Sequence, residues 1–433
     1  MNPSDSAVQD DPKAAASSEA ESKAVHAQPP ESSSDAAAAA AVTPVAPRPA
    51  APVQQLRSAE YDIRKLLAAM PRLQASDIHI KVGIPPTYRV GGHLRPVNGE
   101  PITEADADKL FDPIFSAEKK AAFEAGGNVD FAWFLDEGPF KGERFRINVY
   151  RAGGHLAAAV RRVQGTIPSY ADLHLPPVYS QIVRQSAQGL VLVVGVTGSG
   201  KSSTLAAMIE EVNRTRGVHI VTIEDPVEFR FTPDKCIISQ REIGIDVEDF
   251  HTALRYVVRQ DPDVIFIGEM RDKDTILAGI QAAETGHLVF ATLHSADTMQ
   301  AFGRMLEFFP ESERGFVRAA LSSSLRAVCA QKLLPAVNNF EAKIVPATEV
   351  LIANPTVREK IRENEADDLP AIINTSEGEG MHSFTRSLAN LVNRDWVDLQ
   401  TALHHAPNRD ALNSMIRGVE VKAATMVGRI RKK

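Results

Sequence analysis

The apolar positions of this chain follow three different rhythms. Up to about residue 56 they are almost all alanines and valines without a period, and Pro44, Pro47, Pro49 and Pro52 follow the run Ala36–Ala41. Such a segment cannot bury enough surface to offset its ordering entropy, so residues 1–56 are expected to be a disordered Ala/Ser/Pro-rich extension. From Ser58 the period becomes helical, with Tyr61, Ile63, Leu66, Leu67 and Met70 on one face. Alternation follows in Asp77–Lys81, Thr87–Val90 and His93–Val97, the last two separated by Gly91-Gly92, the mark of a hairpin. A helix is expected from Thr103, and further strands at Arg144–Tyr150 and Leu156–Val163. These elements predict an α+β domain over 57–165, and Pro168, Pro176 and Pro177 then mark a linker over 166–186.

Beyond Gly189 the apolar runs become continuous: Leu190–Val194, His219–Ile223, Val264–Ile267 and Leu288–Ala291. Unbroken runs of this length suit strands buried on both faces of a parallel sheet, and the stretches between them read as crossover helices. The expected second domain is therefore α/β, over 187–418, mainly helical from about Ser322, with a basic tail over 419–433.

The formal charge of the 433 residues is −7, which counts against a general nucleic-acid binder. Seven acids against three bases before Ala50 place much of that charge in the extension. No run approaches the roughly 18 apolar residues of a membrane span, and the polar N-terminus lacks the pattern of a secretory signal, so a cytoplasmic location is expected. The two cysteines, Cys236 and Cys329, are too far apart in sequence to suggest a zinc site and read as reduced, buried thiols.

The chemistry is concentrated after the first buried run. Gly195-Val196-Thr197-Gly198-Ser199-Gly200-Lys201-Ser202 satisfies the phosphate-loop pattern, with a strand before it and a helix-forming stretch from Ser203 after it. Its glycines allow backbone N–H groups to converge on phosphate oxygens, and the following helix adds its positive end. Lys201 is expected at the β- and γ-phosphates of ATP and the Ser202 hydroxyl on Mg2+. The run Val264–Ile267 then delivers an acid to the same edge of the sheet; Gly268 stands where an aspartate is usual, which leaves Glu269 as the carboxylate for metal and water.

Three more segments carry a resemblance. Thr222–Phe229, with Glu224-Asp225-Pro226, resembles the acidic box of the type II/IV secretion ATPase superfamily. Gly268–Asp272 is similar to its atypical Walker B element, and Gly286–Ser295 to its histidine box. Ala75–His79 and Gly380–Phe384 resemble the pilus-retraction class within that superfamily. The resemblance implies a PAS-like N-terminal domain and a RecA-like ATPase domain, assembled as a homo-hexamer that powers type IV pilus retraction at an inner-membrane platform protein, with a paralogous pilus ATPase as a further candidate partner. It implies that Glu224 polarises water while Glu269 supports Mg2+, although either carboxylate could orient the nucleophile on chemistry alone. His287 and His294 would sense the γ-phosphate, and arginines of the N-terminal strands (Arg144, Arg146, Arg161 and Arg162) would close on the phosphates. The alternatives are an assembly or export ATPase of the same superfamily, whose members commonly carry a tetracysteine zinc module that this chain cannot form, and a non-hydrolysing nucleotide-dependent regulator.

Overall fold

The computed structural model describes residues 56–163 and 165–418. The expected extension and basic tail lie outside the described residues, apart from Leu56. The first described α-helix, Ile63–Leu73, is capped by the Asp62 carboxylate accepting from Lys65 N, and it buries the predicted face of Ile63, Leu66, Leu67 and Met70.

That helix packs on a six-stranded, wholly antiparallel sheet: β1 (Ala75–Lys81), β2 (Thr87–Val90), β3 (His93–Pro96), β4 (Asn128–Phe134), β5 (Arg144–Ala152) and β6 (His155–Arg162), in the order β3-β2-β1-β6-β5-β4. Val90 pairs with His93, so Gly91 and Gly92 form a two-residue turn. Their φ angles of 57° and 83° are the two left-handed positions that such a turn requires. Strand β4 had no strong signal in the sequence, because its alternation is broken by partly exposed aromatics.

The second sheet has seven strands: β7 (Gly189–Val194), β8 (His219–Glu224), β9 (Ile237–Glu242), β10 (Val264–Ile267), β11 (Leu288–Leu293), β12 (Leu325–Pro335) and β13 (Ile344–Ile352). Their order is β13-β12-β7-β11-β10-β8-β9, and all neighbours are parallel except β12 and β13. Every residue of β7, β10 and β11 is buried, as the continuous apolar runs require. Two hydrophobic clusters cover the faces of this sheet.

Two expectations are corrected. The region after Ser322 is not mainly helical at its start: β12 and β13 add 11 and 9 residues of strand before the terminal helices. The β12 segment mixes Ala, Leu, Lys and Gln, which favour helix locally, but pairing along β7 overrides that weak preference. The expected linker also contains a helix, Val178–Gln185, whose Tyr179 is fully buried in the sheet's core.

Candidate functional site

The C-terminal edge of the parallel strands carries the site. The loop after β7 turns into the helix Lys201–Thr215, with Gly200 as its left-handed N-cap. A Cβ on Gly195 would lie 2.4 Å from Ser199 Oγ and 2.6 Å from Gln331 O, so nothing larger than glycine fits where loop and β12 meet. Gly198 and Gly200 also take positive φ. Gln331 of β12 clamps the loop from the side: its amide donates to Ser199 O at 2.6 Å and its carbonyl oxygen accepts from Thr204 Oγ1 at 2.8 Å.

A cavity of about 480 Å3 opens above this loop. Thr197, Gly198, Gly200, Lys201, Ser202 and Ser203 line it, and Glu224, Glu269 and His294 face them from β8, β10 and β11. Gly195 and Ser199 do not line it; Ser199 Oγ is buried without a hydrogen-bond partner. Lys201 Nζ donates to Gly195 O at 2.9 Å and Val196 O at 3.2 Å. Burial pulls its ammonium down from the usual value, while the Glu269 and Glu228 carboxylates oppose that shift.

The two acids stand in unlike surroundings. Glu224 is almost wholly buried, and its Oε1 accepts from Thr222 Oγ1 at 2.6 Å and Gln240 Nε2 at 3.1 Å. Burial pushes its carboxyl up to about 7, although those two hydrogen bonds pull the other way. Glu269 is more open and bonded at both oxygens, to Arg271 Nε at 2.7 Å and to His294 Nε2 at 3.0 Å. Burial and the nearby Lys201 hold His294 below its usual pKa, so near neutrality the ring is uncharged and donates from Nε2 to the carboxylate.

Gly268 explains the missing aspartate. Its N–H donates to Ile223 O at 2.8 Å, and a Cβ there would meet Ile223 O at 3.2 Å and the Glu224 Cα at 3.3 Å. Both neighbours are backbone next to the buried acid. Gly268→Asp should therefore lower stability by about 1–3 kcal/mol and disturb Glu224, read as a lower urea midpoint together with slower ATP turnover. An unchanged midpoint would contradict this account of the glycine.

His287 does not join the site within its own chain. It sits before β11, with Nδ1 at 2.9 Å from Ala282 O, at the opposite end of the strand from His294. Six strand residues separate the two histidines by about 20 Å. The candidate arginines are likewise outside the cavity of their own chain. Arg146 faces Asp130 at 3.7 Å, Arg161 holds Asp77 at 2.9 Å, and Arg162 makes a two-pronged bond to Glu143 at 2.9 and 3.0 Å. Arg144 is paired with Glu242. Asp225, Glu228 and Arg271 also line the cavity, though in the sequence they stand out only as parts of the acidic and Walker B segments. Gln331 left no readable signal at all, being 132 residues from its partner Ser199.

A parallel sheet with a phosphate loop at its edge and acidic residues ending the neighbouring strands defines a RecA-like P-loop NTPase. More narrowly, the chain belongs to the type II/IV secretion system protein family, whose model matches residues 172–394. It is 37% identical over 345 residues to the protein named "Type IV pilus retractation ATPase PilT" of Pseudomonas aeruginosa, covering 80% of this chain and 98% of that one. It is 34% identical to the type IV pilus ATPase PilU of the same organism, over 82% of this chain and 92% of that one. Among solved structures, the pilus retraction motor PilT with bound ADP aligns with a TM-score of 0.75 at 36% identity, over 82% of this chain and all of that chain.

Proposed function

We propose that this chain hydrolyses ATP as one subunit of a homo-hexameric motor that powers type IV pilus retraction and twitching motility. The observation that carries the reading is the convergence of Lys201, Ser202, Glu224, Glu269 and His294 on one cavity, in a chain that aligns with a named pilus-retraction ATPase over nearly all of that protein's length.

The loop amides and Lys201 bind the phosphate chain, and the aromatic wall of Phe229, Phe231 and Phe250 leaves an apolar side for the base. The hydroxyl of Ser202 and the carboxylate of Glu269 are hard oxygen donors of the kind that suit Mg2+. When bound, Mg2+ supplies positive charge against the phosphate oxygens. Glu224, buried and fixed by Thr222 and Gln240, holds and polarises the attacking water. His294, tied to Glu269, reports on the terminal phosphate. Arg146, Arg161 and Arg162 reach phosphate from a neighbouring subunit, which makes the ring a condition of full activity, and His287 has a role only at such a junction. Among the described residues no helix is long and apolar enough to cross a membrane. The proposed location is cytoplasmic, docked on an inner-membrane pilus platform protein, with a paralogous pilus ATPase as a second partner.

Deleting the gene in its host tests the direction of work. The expected result is an excess of surface pili without twitching. Loss of pili would show an assembly motor and overturn the proposal.

A further inference from the structure

The loop after Glu224 is held by two side chains from one face of β9, Gln240 and Glu242, which grip its opposite ends. Gln240 binds inward: its amide donates to Glu224 Oε1 and to Phe229 O at 2.9 Å, and its oxygen accepts from Phe231 N at 3.0 Å. Glu242 lies two residues on, beside Glu224 in the β8–β9 register. Its Oε2 accepts from Val227 N at 3.2 Å and from Arg144 Nη2 at 2.6 Å. Arg144 opens β5 of the N-terminal sheet, so one carboxylate oxygen joins that sheet to the loop that carries Asp225 and Glu228 into the nucleotide cavity.

The junction is nearly dry, with the Arg144 and Glu242 side chains 11% and 3% exposed. It is also doubled. Arg230 of the same loop donates to Gly142 O beside β5, and Arg144 and Arg230 both lie over the Phe134 ring of β4, at 5.8 and 5.4 Å. A surface ion pair would contribute little, but breaking a buried, hydrogen-bonded pair has a large effect because the charge left behind is uncompensated.

We propose that Arg144 and Glu242 are positioning residues that couple the placement of the N-terminal sheet to the catalytic loop 225–231, and through it to Glu224. Arg144 thus acts within its own chain, rather than on a neighbour's phosphates. The geometry gives the coupling a direction. Arg144 pulls on the same oxygen that holds Val227 N, so a shift of β5 loosens the loop end next to Glu224, while Gln240 keeps the other end. ATP binding, which uses the phosphate loop on the far side of the cavity and the Phe229–Phe231 end that Gln240 holds, is spared.

This inference rests on the ATPase reading, and the test separates the two. Arg144→Gln, Glu242→Gln and the double variant are compared with the full-length wild type, in ATP turnover and, without nucleotide, in hydrogen exchange of the 225–231 amides. Each single substitution is expected to lower kcat roughly 10- to 100-fold, with KM for ATP changed less than about twofold. The double variant should be no worse than either single one, because both remove the same link. Exchange at Val227 should speed up in Arg144→Gln, and Arg144→Lys should recover part of kcat. Unchanged kcat and exchange in the single variants, or additive losses in the double, would overturn the coupling. A wild type that does not hydrolyse ATP would refute the ATPase reading, and the exchange result alone would then decide the latch.

Discussion

Replacing Glu224 with glutamine is expected to slow ATP turnover by about 10²- to 10⁴-fold, the range associated with losing a positioned proton acceptor, while nucleotide still binds. The amide keeps the size of the side chain and can accept the hydrogen bond from Thr222, but it cannot draw charge from a water. The surroundings of Glu224 add a signature in pH. Its carboxyl is pushed up to about 7, chiefly by burial, so the acid limb of kcat/KM should fall near neutrality in the wild type and vanish in Glu224→Gln. Stability should show the mirror image. An acid whose folded pKa is raised above its unfolded value of 4.5 favours the fold most below that value. The contribution is then lost as pH rises to about 7. Wild type should therefore lose stability relative to Glu224→Gln between about pH 4.5 and 7, as measured by urea midpoints at several pH values. A variant with wild-type turnover would move the catalytic role to Glu269.

Lys201→Ala is expected to reduce hydrolysis at least about 10²-fold, the scale of removing one fixed donor to developing phosphate charge. It should also abolish the rise in melting temperature that ATP gives the wild type. The fold itself should not suffer. Without a ligand Lys201 is buried, its ammonium donates, among the described residues, to the carbonyls of Gly195 and Val196, and burial holds its pKa below the usual value. Alanine removes that charge, so the urea midpoint without nucleotide should be equal or higher. Equal turnover in wild type and variant would sink the phosphate-loop assignment.

These two residues differ in how far the sequence could define them. Lys201 belongs to an eight-residue motif whose geometry is local: a buried strand, a tight glycine loop, a helix start. Glu224 could be placed at the end of a strand, and its family resemblance implied a role, but its unusual acidity is a property of burial. It arises where β8, β9 and β10 converge, which no spacing along the chain reveals. The histidines show the same division. Seven residues apart in one motif, they look like a pair in sequence. A strand, however, separates its ends, and only His294 reaches Glu269. The error over β12 has a related cause: its helix-favouring composition was outweighed by a place between β7 and β13.

The sequence by itself determined the features that depend on near neighbours in the chain: two regimes of apolar periodicity, the Gly91-Gly92 hairpin, the buried parallel strands, and the phosphate loop with its acid-bearing strand ends. Only the tertiary structure decided which distant side chains complete the site. Gln331 clamps the loop from β12, Gly268 leaves room beside Glu224, and Arg144 is bound to Glu242 from another sheet. Local backbone geometry follows from a few adjacent residues, whereas burial and long-range hydrogen bonding depend on strand order, which is chosen by the packing of the whole chain.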